Sequence, residues 1–97
     1  MAKYFKFVKE QVRKVAYQSN GRPALEIIDE SEGYPETVAI PTVNLPNESL
    51  RDDEVFIKDW SENEGVLEDL ITMEIISKPI GSVITGFCVA YKCKLLI

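Results

Sequence analysis

This sequence predicts an α+β fold: an antiparallel meander sheet of about five strands with one helix packed on one face. Three observations carry the prediction. Short β-branched segments are separated by Gly, Pro and Asn punctuation, the pattern of a meander. One stretch, about residues 62–73, places apolar side chains at helical spacing behind a capping signature. The chain has 97 residues, the size of a single domain with one modest core, so sheet and helix must bury their apolar faces against each other.

Residues 4–18 read as the first strand. Phe5 and Phe7 alternate, as do Val15 and Tyr17, with a change of phase between the pairs that suggests a bulge. Phe5, Val8, Val12 and Val15 also recur at helical spacing, and a helix would use Asn20-Gly21 as its C-terminal cap. The strand reading is taken because Ser19-Asn20-Gly21-Arg22 precedes a second strand-like run, Ala24–Asp29, and Asn-Gly suits a two-residue type I′ hairpin turn. Glu30–Pro35 is a turn by composition. Thr37–Ile40 is a short β-branched strand that Pro41 marks as an edge or an end, and Thr42–Pro46 continues it.

Asn47–Asp53 reads as a solvated loop and Glu54–Lys58 as a strand. Ser61-Glu62-Asn63-Glu64 has the S-x-x-E form of a capping box, with acids suited to the positive end of the helix dipole. Val66, Leu67, Leu70 and Ile71 then share one face. Lys78-Pro79-Ile80-Gly81 closes the connection, and Gly86–Leu96 is the last strand. Its alternation sets Phe87, Val89, Tyr91, Cys93 and Leu95 on one face and Cys88, Ala90, Lys92, Lys94 and Leu96 on the other. Cys88 and Cys93 therefore point to opposite faces, which disulfide geometry does not permit. Two reduced thiols are expected, one of them in the core.

The composition narrows the function. There is no histidine, so the common serine and cysteine triads are excluded, and the cysteine spacing matches no usual zinc site. The five glycines form no phosphate-binding loop. Carboxylates are abundant, yet Asp52-Asp53-Glu54 falls in the expected loop and Glu62 and Glu64 at the expected helix start, each with a plain structural role. The reading is of a non-enzyme with no cofactor. No apolar run is long enough to span a membrane. Lys3, Lys6 and Lys9 interrupt any secretion signal, so a cytoplasmic location is expected.

Charge is unevenly spread. Residues 1–22 carry Lys3, Lys6, Lys9, Arg13, Lys14 and Arg22 against Glu10. Residues 23–75 carry fifteen carboxylates against Arg51 and Lys58, and residues 76–97 add Lys78, Lys92 and Lys94. Two functions follow. The first is a protein-binding module that engages a basic partner through its acidic middle. Its candidate interaction residues are Asp52, Asp53 and Glu54, with Asp59 and Trp60 at the helix start as a second docking spot. The alternative is nucleic-acid binding through a basic aromatic N-terminal strand, with Tyr4, Phe5 and Phe7 interleaved among the cations and Lys92 and Lys94 nearby. The net charge of −5 opposes it.

Three blocks, Thr42-Val43-Asn44-Leu45-Pro46, then Phe56–Gly65, then Gly86-Phe87-Cys88, occur in an order that resembles a family of small proteins of unknown function. Its members are carried on conjugative elements, plasmids and phages of gut and other anaerobic bacteria. The Asn20-Gly21 turn with Ala24-Leu25 is similar to a hairpin of that family, and the resemblance runs from about Tyr17 to Leu96. The basic segment before Tyr17 has no counterpart. The resemblance implies a bacterial mobile-element setting and supplies no catalytic or binding residues.

Overall fold

In the computed structural model, which describes residues 2–97, the chain divides its strands between two antiparallel sheets. Strands β1 (Val12–Ala16), β2 (Pro23–Asp29) and β3 (Glu36–Ala39) form one, in the order β1-β2-β3. Strands β4 (Thr42–Val43), β5 (Glu54–Lys58), β6 (Gly81–Thr85) and β7 (Cys88–Lys94) form the other, in the order β4-β5-β7-β6. The α+β class stands, with one α-helix, α1 (Val66–Thr72). The single five-stranded meander does not. The division falls at Ile40–Pro41: proline has no N–H to give a ladder, so β3 stops at Ala39. The Pro41 carbonyl accepts the Lys58 amide at 2.8 Å, and the chain re-pairs with β5, Thr42 opposite Ile57 and Val43 opposite Phe56.

One core lies between the sheets and the helix. Leu25 and Ile27 of β2, Val55 and Ile57 of β5, Cys93 of β7 and Val66 and Leu70 of α1 meet in it, joined by Ile75, Ile76 and Leu95. Strand β5 is buried on both faces: Phe56 is also enclosed, on the side where the 49–51 segment lies beside Glu54, Lys92 and Lys94. Arg22 holds the preceding loop in place by donating to the carbonyls of Leu45 and Glu48 at 2.9 and 2.8 Å.

Three local expectations are corrected. Residues 4–8 are not strand. They form an irregular strap, followed by a 3₁₀ turn at Lys9–Gln11, that returns to the helix. The Ala2 amide donates to Asp69 Oδ2 at 2.6 Å and the Lys3 amide to the Glu64 carbonyl at 2.8 Å. The alternation of Phe5 and Phe7 reflects two rings packed together, centroids 5.8 Å apart, with Phe7 in the core. The first hairpin does not use a two-residue turn. Its loop, 18–21, is closed by the Tyr17 amide donating to the Arg22 carbonyl and the Gly21 amide to the Tyr17 carbonyl. Gly21 alone has positive φ there, and Asn20 accepts the Arg22 amide on its side chain instead, an Asx turn.

The last strand begins late. Gly86-Phe87 is a two-residue turn joining β6 to β7, with Thr85 opposite Cys88. Gly86 has φ +63, which the first position of a type II′ turn requires and glycine supplies without strain. Cys93 stands opposite Val55 and Cys88 opposite Thr85, so the two free thiols occupy opposite faces. Burial pushes the Cys93 thiol up to about 12.

The helix is shorter than expected, and its start is capped differently. Ser61–Asn63 is a separate 3₁₀ turn, and the Ser61–Glu64 capping box does not form. Gly65, at φ +89, lets the chain turn sharply into α1, and the Asp59 carboxylate accepts the Leu67 amide at 3.0 Å. At the far end the Ile75 amide donates to the Leu70 carbonyl and the Glu74 amide to the Ile71 carbonyl. This is a Schellman motif with Ile75 and Leu70 as its apolar pair. Its left-handed position is held by Glu74 at φ +59, where glycine is the usual occupant.

Leu70→Ala is expected to cost about 2–5 kcal/mol, as fully buried leucine truncations do, and Leu67→Ala less, because Leu67 is only partly buried. Urea melts giving equal losses for both would contradict this packing. Glu74→Gly is expected to raise stability by about 1 kcal/mol through relief of the left-handed backbone, read as a higher urea midpoint at unchanged slope.

Candidate functional site

The expected interaction residues fall at the two ends of β5. Asp52 and Asp53 lie exposed in the turn before the strand. Asp53 is tied down: its carbonyl accepts the Leu95 amide at 2.6 Å, and its carboxylate pairs with Lys94 at 3.6 Å. Glu54 is not a loop acid. It opens β5, is 9% exposed, and accepts the Arg51 amide on its carboxylate at 2.8 Å, closing its own turn. Asp59 is spent on the helix start, and Trp60 is half-buried ahead of the 3₁₀ turn. Since β5 advances about 3.3 Å per residue, Asp59 lies roughly 17 Å along the chain from Glu54, and the structure does not bring the two groups together.

Around the 3₁₀ turn the charges serve the backbone. Glu62, whose carboxyl is pulled down to about 2, is stabilised first by a backbone amide, then by the Ser61 hydroxyl and by Lys58 at 3.2 Å. Asn63 is buried and donates to the Ile40 carbonyl at 3.2 Å.

The basic aromatic strip is also taken apart. Phe7 is in the core with Phe5 packed beside it, and Tyr4 alone of the three rings is well exposed. Arg13 pairs with Glu30 at 3.1 Å and Lys3 with Glu64 at 3.5 Å. Lys92 and Lys94 belong to the other sheet, where Lys92 lies over the Phe56 ring. Lys6, Lys9 and Lys14 remain exposed, without aromatic platforms between them.

A different surface stands out, and it is uncharged. From Pro79 to Tyr91 no residue carries charge, in a chain that is 28% charged. This run is the β6–β7 hairpin. At its tip Phe87 is fully exposed and Ile84 is 81% exposed, with Ile80 at 59%. Beside it an open groove of about 820 Å³ runs between β6 and the 45–48 loop, lined by Leu45, Pro46, Glu48, Val83, Ile84 and Val89.

Strand β6 is also an edge with one side unpaired. Natural sheets blunt such edges with charge, proline or shortness. Strand β1 carries Arg13 and Lys14, β3 begins at Glu36 between Pro35 and Pro41, and β4 is two residues long. Strand β6, Gly81-Ser82-Val83-Ile84-Thr85, has none of these devices. The sequence signal for the hairpin was present in the Gly-Phe pair between β-branched runs, and the uncharged stretch marked the surface.

Among the described residues no group of three or more Asp, Glu or Cys side chains is placed to hold a metal ion. None of the helices described is long and apolar enough to cross a membrane. Comparison with protein-family models, with curated proteins and with solved structures yields no match to this chain.

The acids at the two ends of β5 should separate by role. Asp59→Ala is expected to cost about 1 kcal/mol through the lost helix cap. Asp52→Asn should move stability by less than about 0.5 kcal/mol, as exposed substitutions do. Thermal melts in which Asp59→Ala matches wild type would remove Asp59 from the helix start.

Proposed function

We propose that this chain is a non-catalytic interaction protein of a bacterial mobile element that binds a protein partner through the β6–β7 hairpin. The observation that carries the reading is the open, uncharged β6 edge with Ile84 and Phe87 presented beside it. An unpaired edge offers a row of backbone donors and acceptors, and exposed side chains at alternate positions supply selectivity, which is the basis of recognition by strand addition. Large exposed apolar groups clustered in one place are also the usual mark of a docking surface. The mobile-element setting rests on the three sequence blocks.

The acidic middle has a supporting part in this reading. With Glu54 and Asp59 committed to the backbone, Asp52 and Asp53 are left as rim charges, which act on encounter more than on holding. The test is capture of binding proteins from a bacterial host by the tagged chain. Phe87→Ser is expected to lose the captured partner, and Asp52→Asn with Asp53→Asn to retain it while altering the salt dependence of association. Capture unaffected by Phe87→Ser, together with loss in the acidic variant, would reverse the assignment of the two surfaces.

A further inference from the structure

We propose that the cavity between the 49–51 segment and β7 binds a small organic phosphate. Alternation along β7 puts Lys92 and Lys94 on one face, about 7 Å apart, away from the buried Cys93. The 49–51 segment crosses that face. Ser49, Leu50 and Arg51 line, with the two lysines, an open cavity of about 590 Å³. The backbone brings Arg51 there: its amide donates to the Glu54 carboxylate at 2.8 Å, and Glu54 stands opposite Lys94 in the β5–β7 ladder. Arg51, Lys92 and Lys94 therefore share one cavity, held by the fold itself.

What points to a ligand is how these cations are left. The chain has 16 acids against 11 Lys and Arg, and elsewhere the cations are spent: Arg13, Lys3 and Lys58 on carboxylates, Arg22 on carbonyls. Among the described residues the side chains of Arg51 and Lys92 form no ion pair. Lys92 is also partly buried, its Nζ 5.9 Å from the Phe56 ring centroid, and burial makes an unpaired ammonium more costly. Lys94 has Asp53 at 3.6 Å, but the two side chains are 58% and 51% exposed, a contact of little strength. Glu54, the one acid among the lining residues, is 9% exposed and committed to the Arg51 amide. A phosphate ester carries close to two negative charges and three acceptor oxygens, which a guanidinium and two ammoniums match, with the Ser49 hydroxyl as a further donor. The cavity is larger than a phosphate. Leu50 and the exposed Ile80 give the remainder an apolar wall, which suits an organic ester better than the bare ion. The net charge of −5 repels a long polyanion, whereas a concave cationic site focuses its field on a small one.

Titration followed by amide chemical shifts in NMR tests the proposal. The probes are inorganic phosphate, phenyl phosphate and a single-stranded oligonucleotide, with chloride holding the ionic strength constant. Phenyl phosphate is expected to shift the amides of residues 49–51 and 92–94 saturably, and to bind more tightly than inorganic phosphate. Arg51→Gln and Lys92→Met are each expected to weaken its binding roughly tenfold. Arg51 is exposed, and methionine keeps an apolar stem over Phe56, so both variants should fold. Asp53→Asn releases Lys94 and is expected to tighten binding about two- to fivefold, the opposite sign to the other two changes. No saturable shift at tens of millimolar of either phosphate overturns the proposal, as does binding indifferent to both Arg51→Gln and Lys92→Met. Equal affinity for phenyl phosphate and inorganic phosphate overturns the organic part of the assignment. An oligonucleotide that displaces phenyl phosphate from these residues at lower concentration overturns the small-ligand assignment in favour of nucleic acid.

Discussion

Two sheets that have no strand in common can share a core only if something fixes how they sit together, and here the fixing point is the passage from β3 to β4. Three groups in succession are bonded to different parts of the molecule. The Ile40 carbonyl accepts from Asn63 in the 3₁₀ turn before the helix, and the Pro41 carbonyl accepts from the Lys58 amide of β5. The Thr42 hydroxyl accepts from the Tyr17 hydroxyl at 2.9 Å and from the Leu25 amide of β2 at 3.3 Å. Pro41 and Thr42 are buried, and the bond from the Leu25 amide to Thr42 is buried with them, where an unpaired polar group costs about 1–3 kcal/mol. Burial also raises the Tyr17 hydroxyl above its ordinary pKa, against the opposing effect of its bond to Thr42. The helix start, the central strand of one sheet and the central strand of the other are all referred to this tripeptide.

What was legible in the sequence was whatever depended on local chemistry. The β2, β3 and β5 segments were found from their β-branched runs, and the apolar face of the helix from the spacing of Val66 and Leu70. What failed depended on long-range placement. Phe5 and Phe7 alternate as strand residues do, but their positions are set by the core to which the strap returns. Pro41 correctly marked a strand end, yet a proline carries no information about which sheet the chain joins next. Glu74 illustrates a further limit. Nothing in its chemistry suggests a left-handed backbone, and the Schellman motif is recognisable only once Ile75 and Leu70 are seen to pack together.

The candidate site shows the same division. Asp52, Asp53, Glu54, Asp59 and Trp60 were singled out by residue type, and type does not distinguish an acid aimed at solvent from one turned back on an amide. Glu54 and Asp59 do the latter. The hairpin surface was readable in principle, since an uncharged run of that length is unusual in so charged a chain. The sequence reading placed no strand between the Lys78–Gly81 connection and Gly86, and this concealed the surface, because an edge has meaning only when its sheet is known.

The strap at the N-terminus has a consequence for the order of events on the ribosome. Ala2 is bonded to a side chain 67 positions later, and Phe7 belongs to a core completed by Leu95. Translation delivers both phenylalanines long before their cover exists. The β1–β2 hairpin can close early, but the strap cannot settle until the helix has left the exit tunnel, which at about 5–20 residues per second takes several seconds. For that interval the nascent chain carries bare Phe5 and Phe7 among Lys3, Lys6 and Lys9. This is a basic, aromatic segment of the kind that holding chaperones would find accessible, and one that the finished protein no longer presents.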